Sequence, residues 1–250
     1  MHKLSIITIN YNNLAGLQKT VESVGSRLPE GVEWIAVDGN STDGSAEYIT
    51  EAPFSLRIIE KDKGIYDAMN KGLKAAQGEY VWFMNSGDRF HSVDSVSRML
   101  DFLVRFPAVD CFYGDTEFVD EKYQPMGLIS KLKPQKFPLK LTKNSFRTGM
   151  SICHQSFVAR KALCDEYNLK YRFAADVDWI IGILAKNPVT MPVDFVVADF
   201  AVGGSSYLHT KKAMKERFQI LGEHYGYFAN ILAHIWIVIR RILFNLKGRE

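Results

Sequence analysis

The chain has 250 residues, of which 47% are hydrophobic and 24% are charged, so it can bury one substantial core and one domain is favoured over two. The net charge of +3 is too small to indicate nucleic-acid binding, and the sequence has no zinc-finger, RNA-binding or basic-zipper spacing. Three widely separated cysteines without C-x-x-C spacing favour reduced thiols over a disulfide frame or a metal site: Cys111, Cys153 and Cys164. The first apolar run, residues 4–9, is too short for a signal peptide, so we expect a cytoplasmic protein.

Strand and helix patterns alternate through the first half of the chain. Apolar runs rich in β-branched and aromatic residues predict strands at residues 4–9, 32–37, 56–59 and 80–84. The stretches between them predict three helices. The first ends near residue 26, and the second begins at residues 40–44 with a Ser or Thr as N-cap. The third covers residues 65–77 and ends at Gly78. This alternation is typical of βαβ units, so we expect a mostly parallel sheet with both faces covered.

The second half is less regular. Strand-like stretches cover residues 109–113, two short pieces within 116–129, residues 149–157 and residues 193–202, and helical patterns begin near residues 160, 176 and 211. The segment 122–147 has seven Lys or Arg residues and no acid. Such a run is either a solvated loop or, with Pro134 and Pro138, a lid that would favour a diphosphate donor or a phospholipid-linked acceptor.

Polar residues collect where each of the first four predicted strands ends. Because parallel strands all point one way, these residues should meet at one edge of the sheet. They are Thr8, Asn10 and Tyr11, then Asp38 and residues 41–43, then Glu60 and Asp62, and finally Asp88. Neither a G-x-G-x-x-G sequence after the first strand nor a P-loop is present, which argues against dinucleotide oxidoreductases and P-loop NTPases. A carboxylate-rich edge instead suggests an anion bridged by a hard divalent cation such as Mg²⁺ or Mn²⁺.

Several motifs in a fixed order carry a family resemblance. They are I-T-I-N-Y-N-N, V-D-G-N-S-T-D-G, D-K-G-I-Y-D-A-M-N-K-G, N-S-G-D and A-A-D-V-D-W, and they lie within residues 4–205. Together they resemble the inverting family-2 glycosyltransferases of the GT-A fold, most of all the bacterial members that build capsule, exopolysaccharide or lipopolysaccharide sugars. The resemblance implies an α/β, GT-A-like, mostly parallel sheet flanked by helices, as a catalytic domain over residues 1–206, with a helical extension over residues 207–250.

The resemblance also implies roles on the donor side. Thr8, Asn10 and Tyr11 match the segment beside the nucleotide, and Asp38 matches the acid that contacts its base or ribose. Asp88 matches the last Asp of the family's D-x-D motif, which holds the metal on the donor diphosphate. Ser86 stands where the first Asp would be, so metal binding would depend on Asp88 with water and phosphate oxygens. For Asp67 and Lys71, a donor-binding role and a plain i,i+4 pair are both open.

On the acceptor side, the resemblance places His154 and Gln155 along the cleft and makes Asp176 the base that takes the proton of the attacking hydroxyl. Asp178 would assist by ordering the loop or helix. Two carboxylates in the first turn of a helix are also favoured by its dipole, which would explain one of them without catalysis. Residues 203–206 match a turn of small residues that often follows in this family.

The segment 227–246 is apolar but interrupted by His234, Arg240 and Arg241. Plotted as a helix it is amphipathic, and its uninterrupted apolar part is shorter than a membrane span. We expect it to lie on a membrane surface with Lys247 and Arg249 near anionic head groups, which would make the protein peripheral at the inner face of the plasma membrane. The alternative is a helix packed on the catalytic domain or on a second copy of the chain.

The resemblance implies an enzyme that transfers a sugar, with inversion and metal assistance, from a nucleotide-diphosphate sugar to a hydroxyl of a glycan or lipid-linked acceptor. A UDP-sugar is the expected donor, and surface-polysaccharide synthesis is the expected setting. The alternative is a non-catalytic nucleotide-sugar-binding or membrane-associated assembly subunit, which the Ser86 departure could mark. A nucleotidyltransferase is a further rival.

Overall fold

A computed structural model describes residues 2–25, 27–150, 152–203 and 209–247 of the chain. Its strands are β1 (Leu4–Asn10), β2 (Val32–Asp38), β3 (Leu56–Ile59), β4 (Tyr80–Phe83), β5 (Arg89–Phe90), β6 (Cys111–Val119), β7 (Pro125–Leu128), β8 (Phe157–Arg160) and β9 (Thr190–Ala201). Its α-helices are α1 (Leu14–Glu22), α2 (Ser45–Glu51), α3 (Ile65–Ala75), α4 (Ser95–Arg105), α5 (Ile129–Leu132), α6 (Ala175–Ala185), α7 (Thr210–Tyr225) and α8 (Tyr227–Lys247). The predicted turn after Gly203, the boundary at residue 206 and the head-group contacts of Lys247 and Arg249 lie outside what the structure describes.

The strands form one mixed sheet in the order β3-β2-β1-β4-β8-β6-β9-β5, with β7 paired to β6. Strands β3, β2, β1 and β4 are parallel neighbours, as the alternating first half predicts. Beyond them, β8 runs antiparallel to both β4 and β6, and β9 runs parallel to β6. The predicted α/β class is confirmed, and the departure from a parallel sheet comes from the pairings of the strands after β4.

Both faces of the sheet are covered, because the side chains of a strand alternate between two cores. In β1, Ile7 and Ile9 pack with α3 and α6 on one face, whereas Leu4 and Ile6 pack with α1, α2 and α4 on the other. Every residue of β1 and β2 is buried, which accounts for their continuous apolar runs. The predicted covering of both faces is thus confirmed.

Several element boundaries differ from the sequence prediction. Helix α1 ends at Glu22 rather than near residue 26, and α2 has Gly44 at its N-cap, with φ of 92°, instead of a Ser or Thr. The strand expected over 109–113 continues as β6 to Val119, because it pairs with both β7 and β9. The helix expected from residue 160 is only a 3-10 turn, Lys161–Leu163. The strand expected from residue 149 begins only at Phe157, after a 3-10 turn over His154–Ser156.

The two C-terminal helices pack against each other and against α6. Gly226, with φ of 85°, separates α7 from α8, and the buried Asn230 of α8 donates its Nδ2 hydrogen to the Phe218 carbonyl of α7 at 2.8 Å. The carboxylate of Glu216 in α7 accepts hydrogen bonds from three successive backbone amides that precede α6, those of residues 172, 173 and 174, at 2.8–3.1 Å. The C-terminal helices therefore support the start of α6.

The apolar side of α8 faces outward. Phe228 is 78% exposed and Val238 is 58% exposed, and the polar residues Asn230 and His234 lie on the inner side. By length and composition alone, the stretch Tyr227–Phe244 could also cross a membrane. The amphipathic pattern is as predicted, with the polar side turned toward the protein.

Gly78 provides a test of the close packing between the α3–β4 turn and β1. A Cβ at residue 78 would lie 2.5 Å from the Ser5 backbone nitrogen, which cannot move without disturbing β1. We expect Gly78→Ala to lower the free energy of unfolding by about 1–3 kcal/mol in urea denaturation. Gly182→Ala in α6, where no atom lies within 4 Å of the added Cβ, is the control and should raise it by about 0.5–1 kcal/mol. Equal stability of Gly78→Ala and wild type would contradict this account.

Candidate active site

Two adjoining clefts lie beyond the carboxyl ends of the parallel strands. The first, the β1–β3 cleft, has a volume of about 790 Å³ and is lined by residues that follow β1, β2 and β3. The second, the β4–β9 cleft, has about 690 Å³ and is lined by residues that follow β4 and end β9. Asn13, Ile65, Asn85 and Ser86 line both clefts, which are therefore continuous. The predicted meeting of polar residues at one edge of the sheet thus produces an extended groove.

The β1–β3 cleft combines an aromatic ring, a carboxylate and cations. The Tyr11 side chain is 65% exposed. A Cβ on Gly39 would lie 2.9 Å from Tyr11 Cδ2 and 2.5 Å from Asp62 Oδ2, so the absent side chain at residue 39 leaves the groove between them open. Lys61 and Arg172 also line the cleft. Such a slot suits a flat ring with hydrogen-bonding edges. The sequence placed Asp62 at the sheet edge without giving it a binding role, although the D-K-G motif marks it.

Asp38 lies beneath this cleft and has no exposed surface. Its carboxylate accepts hydrogen bonds from Asn10 Nδ2 at 2.8 Å and from the backbone nitrogen and the hydroxyl of Ser41, each at 2.7 Å. These bonds join the ends of β1 and β2. Asn10 lines the cleft, and the contact of Asp38 with base or ribose stays a prediction.

Three other predicted donor residues lie away from the cleft lining. Thr8 is fully buried, and its hydroxyl accepts a hydrogen bond from Trp34 Nε1 at 2.9 Å, because its side chain points into the α1–α2 side of the sheet. Asp67 accepts from the backbone nitrogen of Lys63 at 2.9 Å, and Lys71 Nζ donates to the carbonyl of Lys61 at 2.6 Å. Asp67 and Lys71 therefore hold the loop that carries Asp62, and donor contact by these two residues and by Thr8 stays a prediction.

Asp88 lies in the β4–β9 cleft and is 7% exposed. Its Oδ2 accepts a hydrogen bond from Gln155 Nε2 at 2.7 Å, and its Oδ1 accepts one from the backbone nitrogen of Ala201 at 3.2 Å. Burial raises the pKa of Asp88 to about 7, and the neighbouring Asp199 also raises it. Two hydrogen bonds therefore hold the Asp88 carboxylate in place, but they do not offset the effect of burial on its pKa.

The oxygen atoms beside Asp88 fit a hard divalent cation. Asn85 Oδ1 and Ser86 Oγ are buried and have no hydrogen-bond partner among the described residues, and both residues line the β4–β9 cleft. Oxygen ligands are those that Mg²⁺ and Mn²⁺ prefer. Within the described ranges no cluster of three His, Cys, Asp or Glu residues could hold a metal, so a cation here would need ligand or water oxygens besides Asp88.

His154 lies in the core beneath the cleft, whereas its neighbour Gln155 lines the β4–β9 cleft. His154 is 3% exposed, and its Nε2 shares a hydrogen bond of 2.7 Å with the hydroxyl of Tyr167. Burial lowers the pKa of His154 to about 4, so its imidazole is neutral near pH 7. Both residues were predicted to contact an acceptor. Gln155 donates a hydrogen bond to the Asp88 carboxylate, and acceptor contact by either residue stays a prediction.

Asp176 and Asp178 have different partners, because residues two apart on a helix point in different directions. Asp176 is partly exposed, and its Oδ1 accepts a hydrogen bond from the Tyr66 hydroxyl at 3.1 Å. Asp178 Oδ1 lies 2.6 Å from His224 Nε2 of α7. Asp178 thus links α7 to the first turn of α6, and its assignment to the catalytic site stays a prediction.

Asp88 and Asp176 both lie near the segment that precedes β8. Burial raises the pKa of the Cys153 thiol, and both carboxylates raise it further. Gln155 contacts Asp88, and Asp176 acts electrostatically on His154. Two acidic groups that are 88 residues apart in the sequence therefore approach the same three-residue stretch. Asp176 is partly exposed whereas Asp88 is buried, so Asp176 is the more accessible proton acceptor of the two.

Comparisons with known proteins identify relatives of the chain and of its fold. Over 258 aligned residues the chain is 32% identical to an uncharacterised glycosyltransferase of Mycobacterium tuberculosis, covering 99% of this chain and 91% of that protein. Among solved structures, S. aureus TarS in complex with UDP-GlcNAc matches with a TM-score of 0.67 at 15% identity, over 97% of this chain and 73% of the other. A mannosyltransferase of Pyrobaculum calidifontis in complex with GDP-Man and Mn²⁺ matches with a TM-score of 0.59 at 19% identity, over 95% and 73%.

The structural matches identify the fold as that of the GT-A glycosyltransferases. Residues 5–167 also match the family model described as glycosyl transferase family 2. The chain belongs to glycosyl transferase family 2.

The raised pKa of Asp88 predicts a pH-dependent stability. Between about pH 4 and pH 7 native Asp88 keeps a proton that the unfolded chain has released, so the free energy of unfolding falls as pH rises, by up to about 1.4 kcal/mol per pH unit from this group. In urea denaturation, we expect Asp88→Asn to lose stability less steeply than wild type between about pH 5 and pH 8. Asp101→Asn, an exposed carboxylate on α4, is the control and should follow wild type. Parallel curves for wild type and Asp88→Asn would contradict the raised pKa.

Proposed function

We propose that this glycosyltransferase moves a sugar from a nucleotide-diphosphate sugar to a hydroxyl group of its acceptor, with inversion at the anomeric carbon. The observation that carries the proposal is the continuous groove along the carboxyl ends of β1–β4, with a slot for a flat ring at one end and Asp88 at the other. A nucleoside and its diphosphate need these two environments side by side. A role in bacterial surface-polysaccharide synthesis rests on the motif resemblance alone.

The β1–β3 cleft is the proposed nucleoside site. The exposed ring of Tyr11 offers a stacking surface, and the Asp62 carboxylate accepts hydrogen bonds from ring nitrogens or ribose hydroxyls. Solved relatives of the same fold were captured with UDP-GlcNAc and with GDP-Man, which supports a nucleotide-sugar donor without fixing its base. We propose a UDP-sugar.

Asp88 is the proposed metal ligand, aided by Asn85 and Ser86 as neighbouring oxygen donors. A bound Mg²⁺ or Mn²⁺ supplies charge neutralisation for the departing diphosphate. The mannosyltransferase neighbour contains Mn²⁺ beside GDP-Man, which supports the same class of cofactor here. Gln155 keeps the Asp88 carboxylate turned into the groove through its 2.7 Å hydrogen bond.

Asp176 is the proposed general base. As the acceptor oxygen bonds to the anomeric carbon, the Asp176 carboxylate takes the hydroxyl proton, while the bond from the anomeric carbon to the diphosphate oxygen breaks and the nucleoside diphosphate leaves. The Tyr66 hydroxyl fixes the orientation of Asp176 through one oxygen and leaves the other available. Asp176 stands in the first turn of α6, where the positive end of the helix dipole lies.

A nucleotide-sugar-binding subunit without turnover is the second candidate, and Ser86 in place of a second metal-binding carboxylate favours it. The two candidates differ in chemistry: a binding subunit takes up donor and releases no product. A nucleotidyltransferase would release pyrophosphate in place of a nucleoside diphosphate.

Substitution of the two carboxylates separates these candidates. We expect Asp176→Asn to lower the rate of nucleoside-diphosphate release by about 10²- to 10⁴-fold, because general-base catalysis is lost, and to leave donor affinity nearly unchanged. Asp88→Asn should instead abolish the metal-dependent thermal stabilisation by the preferred donor in a panel of UDP-, GDP- and dTDP-sugars. The exposed Asp101→Asn is the matched control and should behave as wild type in both assays.

Wild-type turnover in Asp176→Asn would overturn the assignment of the base. Donor-induced stabilisation without any product would favour the binding subunit, and pyrophosphate as product would favour nucleotidyl transfer.

We also propose that α8 holds the enzyme on the cytoplasmic surface of a membrane. Its outward face is a row of apolar side chains, among them Ile231, Ile235, Val238 and Ile242, each 49–58% exposed. An exposed apolar face of this length is costly in water and is typical of interfacial helices. A second copy of the chain packed on this face would be the other way to cover it.

Acidic substitutions on this face test the membrane proposal. Ile235→Glu/Val238→Glu should abolish co-sedimentation with phosphatidylglycerol-containing vesicles, because two charged side chains would have to enter the lipid interface. The control Val93→Glu/Val104→Glu adds the same charge at residues that are 68% and 63% exposed elsewhere, and should bind as wild type does. The membrane proposal is wrong if the wild-type protein does not sediment with the vesicles, or if the α8 variant sediments with them as well as wild type does. A wild-type dimer that the α8 variant cannot form would support the second copy instead.

A further inference from the structure

A third pocket lies between the catalytic fold and the C-terminal helices. This pocket, which we call the cationic pocket, has a volume of about 460 Å³. Four Lys or Arg side chains from three separate segments of the chain line it: Lys133, Arg217, Arg240 and Arg241. Lys133 comes from the basic run that follows β7, Arg217 comes from α7, and the remaining two come from α8. None of the described residues that line it is acidic.

These cations lack counter-charges. Among the described residues, none of the four forms an ion pair with a carboxylate. The Nε atoms of Arg217 and Arg240 are buried without a hydrogen-bond partner within the same ranges. Burial lowers the pKa of Lys133, and the nearby charge of Arg217 lowers it further. Burial also lowers the pKa of Arg240. Grouping unpaired, partly buried cations is unfavourable unless an anion joins them.

The rest of the lining is mostly apolar. Phe146, Met150, Leu221, Ile237 and Phe244 surround the basic groups, and Phe244 belongs to α8 as the outward apolar row does. The matching ligand therefore carries an anionic group joined to an apolar body. A phosphate on a lipid has this chemistry, and arginine forks bind phosphate through paired hydrogen bonds.

The cationic pocket also adjoins the proposed general base. Val177 lines the pocket and directly follows Asp176, and the electrostatic influence of Arg217 reaches the Tyr66 hydroxyl that holds Asp176. A group bound by Arg217 would thus place its neighbouring substituent close to Asp176.

We propose that the cationic pocket binds the phosphate or diphosphate of a lipid-linked acceptor, so that the sugar hydroxyl on the other side of the phosphate is presented to Asp176. This inference rests on the proposed sugar transfer and names the acceptor class. The lipid chain extends from the pocket along the apolar side of α8 into the membrane. The basic run thus contributes Lys133 to the acceptor site.

A binding experiment with matched lipids tests the pocket directly. Neutral phosphatidylcholine vesicles are loaded either with a polyprenyl phosphate or with the polyprenol of the same length, and protein binding is measured by flotation. We expect wild type to bind the polyprenyl-phosphate vesicles at least about tenfold more tightly, the gain expected from charge-assisted hydrogen bonds. Inorganic phosphate at the same concentration should compete weakly, because it lacks the apolar chain.

Variants that remove equal charge locate the effect. Arg217→Gln/Arg240→Gln should reduce binding to the level of the polyprenol vesicles, whereas Lys211→Gln/Lys215→Gln, exposed on the same helix α7, should keep the wild-type preference. Arg217→Lys retains the charge and should restore part of the affinity. Near-UV circular dichroism of each variant verifies that the fold is intact. If only the Arg217→Gln/Arg240→Gln variant is misfolded, the lipid comparison on wild type and Arg217→Lys decides.

Two outcomes would overturn the pocket assignment. One is equal affinity for the phosphorylated and the unphosphorylated lipid. The other is that free inorganic phosphate displaces the protein from polyprenyl-phosphate vesicles as strongly as the free lipid phosphate does. With donor turnover intact, either outcome leaves sugar transfer standing and removes only the phosphate-bearing acceptor. Selective lipid binding in a protein that turns over no donor would instead overturn sugar transfer and retain the lipid-phosphate site.

Discussion

The site depends on the parallel register of β1 between β2 and β4. In that register Asn10 lies opposite Asp38, and the chain after β4 returns to β1 through the hydrogen bond from the backbone nitrogen of Ser86 to the carbonyl of Ile9 at 3.1 Å. The hydrogen bonds of the Asp38 carboxylate then lock the ends of β1 and β2 together. A shift of one residue would exchange the two faces of β1 and would separate the ring slot from Asp88.

Much of this arrangement is readable from the sequence. The alternation of apolar strands and helices indicates a parallel sheet, and the polar residues after each strand indicate where its groove lies. The direction of individual side chains is harder to predict. Thr8 and Asn10 both point to the same side by alternation, yet Thr8 is inside β1 and bonds to Trp34, 26 residues away, while Asn10 is at its open end. Asp38 is hidden because Ser41 folds back over it.

Most of what the sequence does not reveal in the second half of the chain depends on contacts between distant segments. Nothing near Asp178 indicates that its partner is His224, since that pairing requires α7 to dock on α6. Similarly, a run of seven basic residues does not identify Lys133 as the one that meets Arg217 and Arg240. The sequence detects the charges, but their convergence depends on how three segments pack. The antiparallel insertion of β8 between β4 and β6 is of the same kind.

The bonds from Glu216 to the three amides before α6 have a practical consequence for anyone shortening this chain. A protein cut before α7 would lose the acceptor of those amides and also the partner of Asp178, on the same helical turn that carries Asp176. A cut after Tyr225 would keep both. Loss of activity in the shorter fragment would therefore reflect a frayed helix start, and could easily be mistaken for a missing membrane attachment.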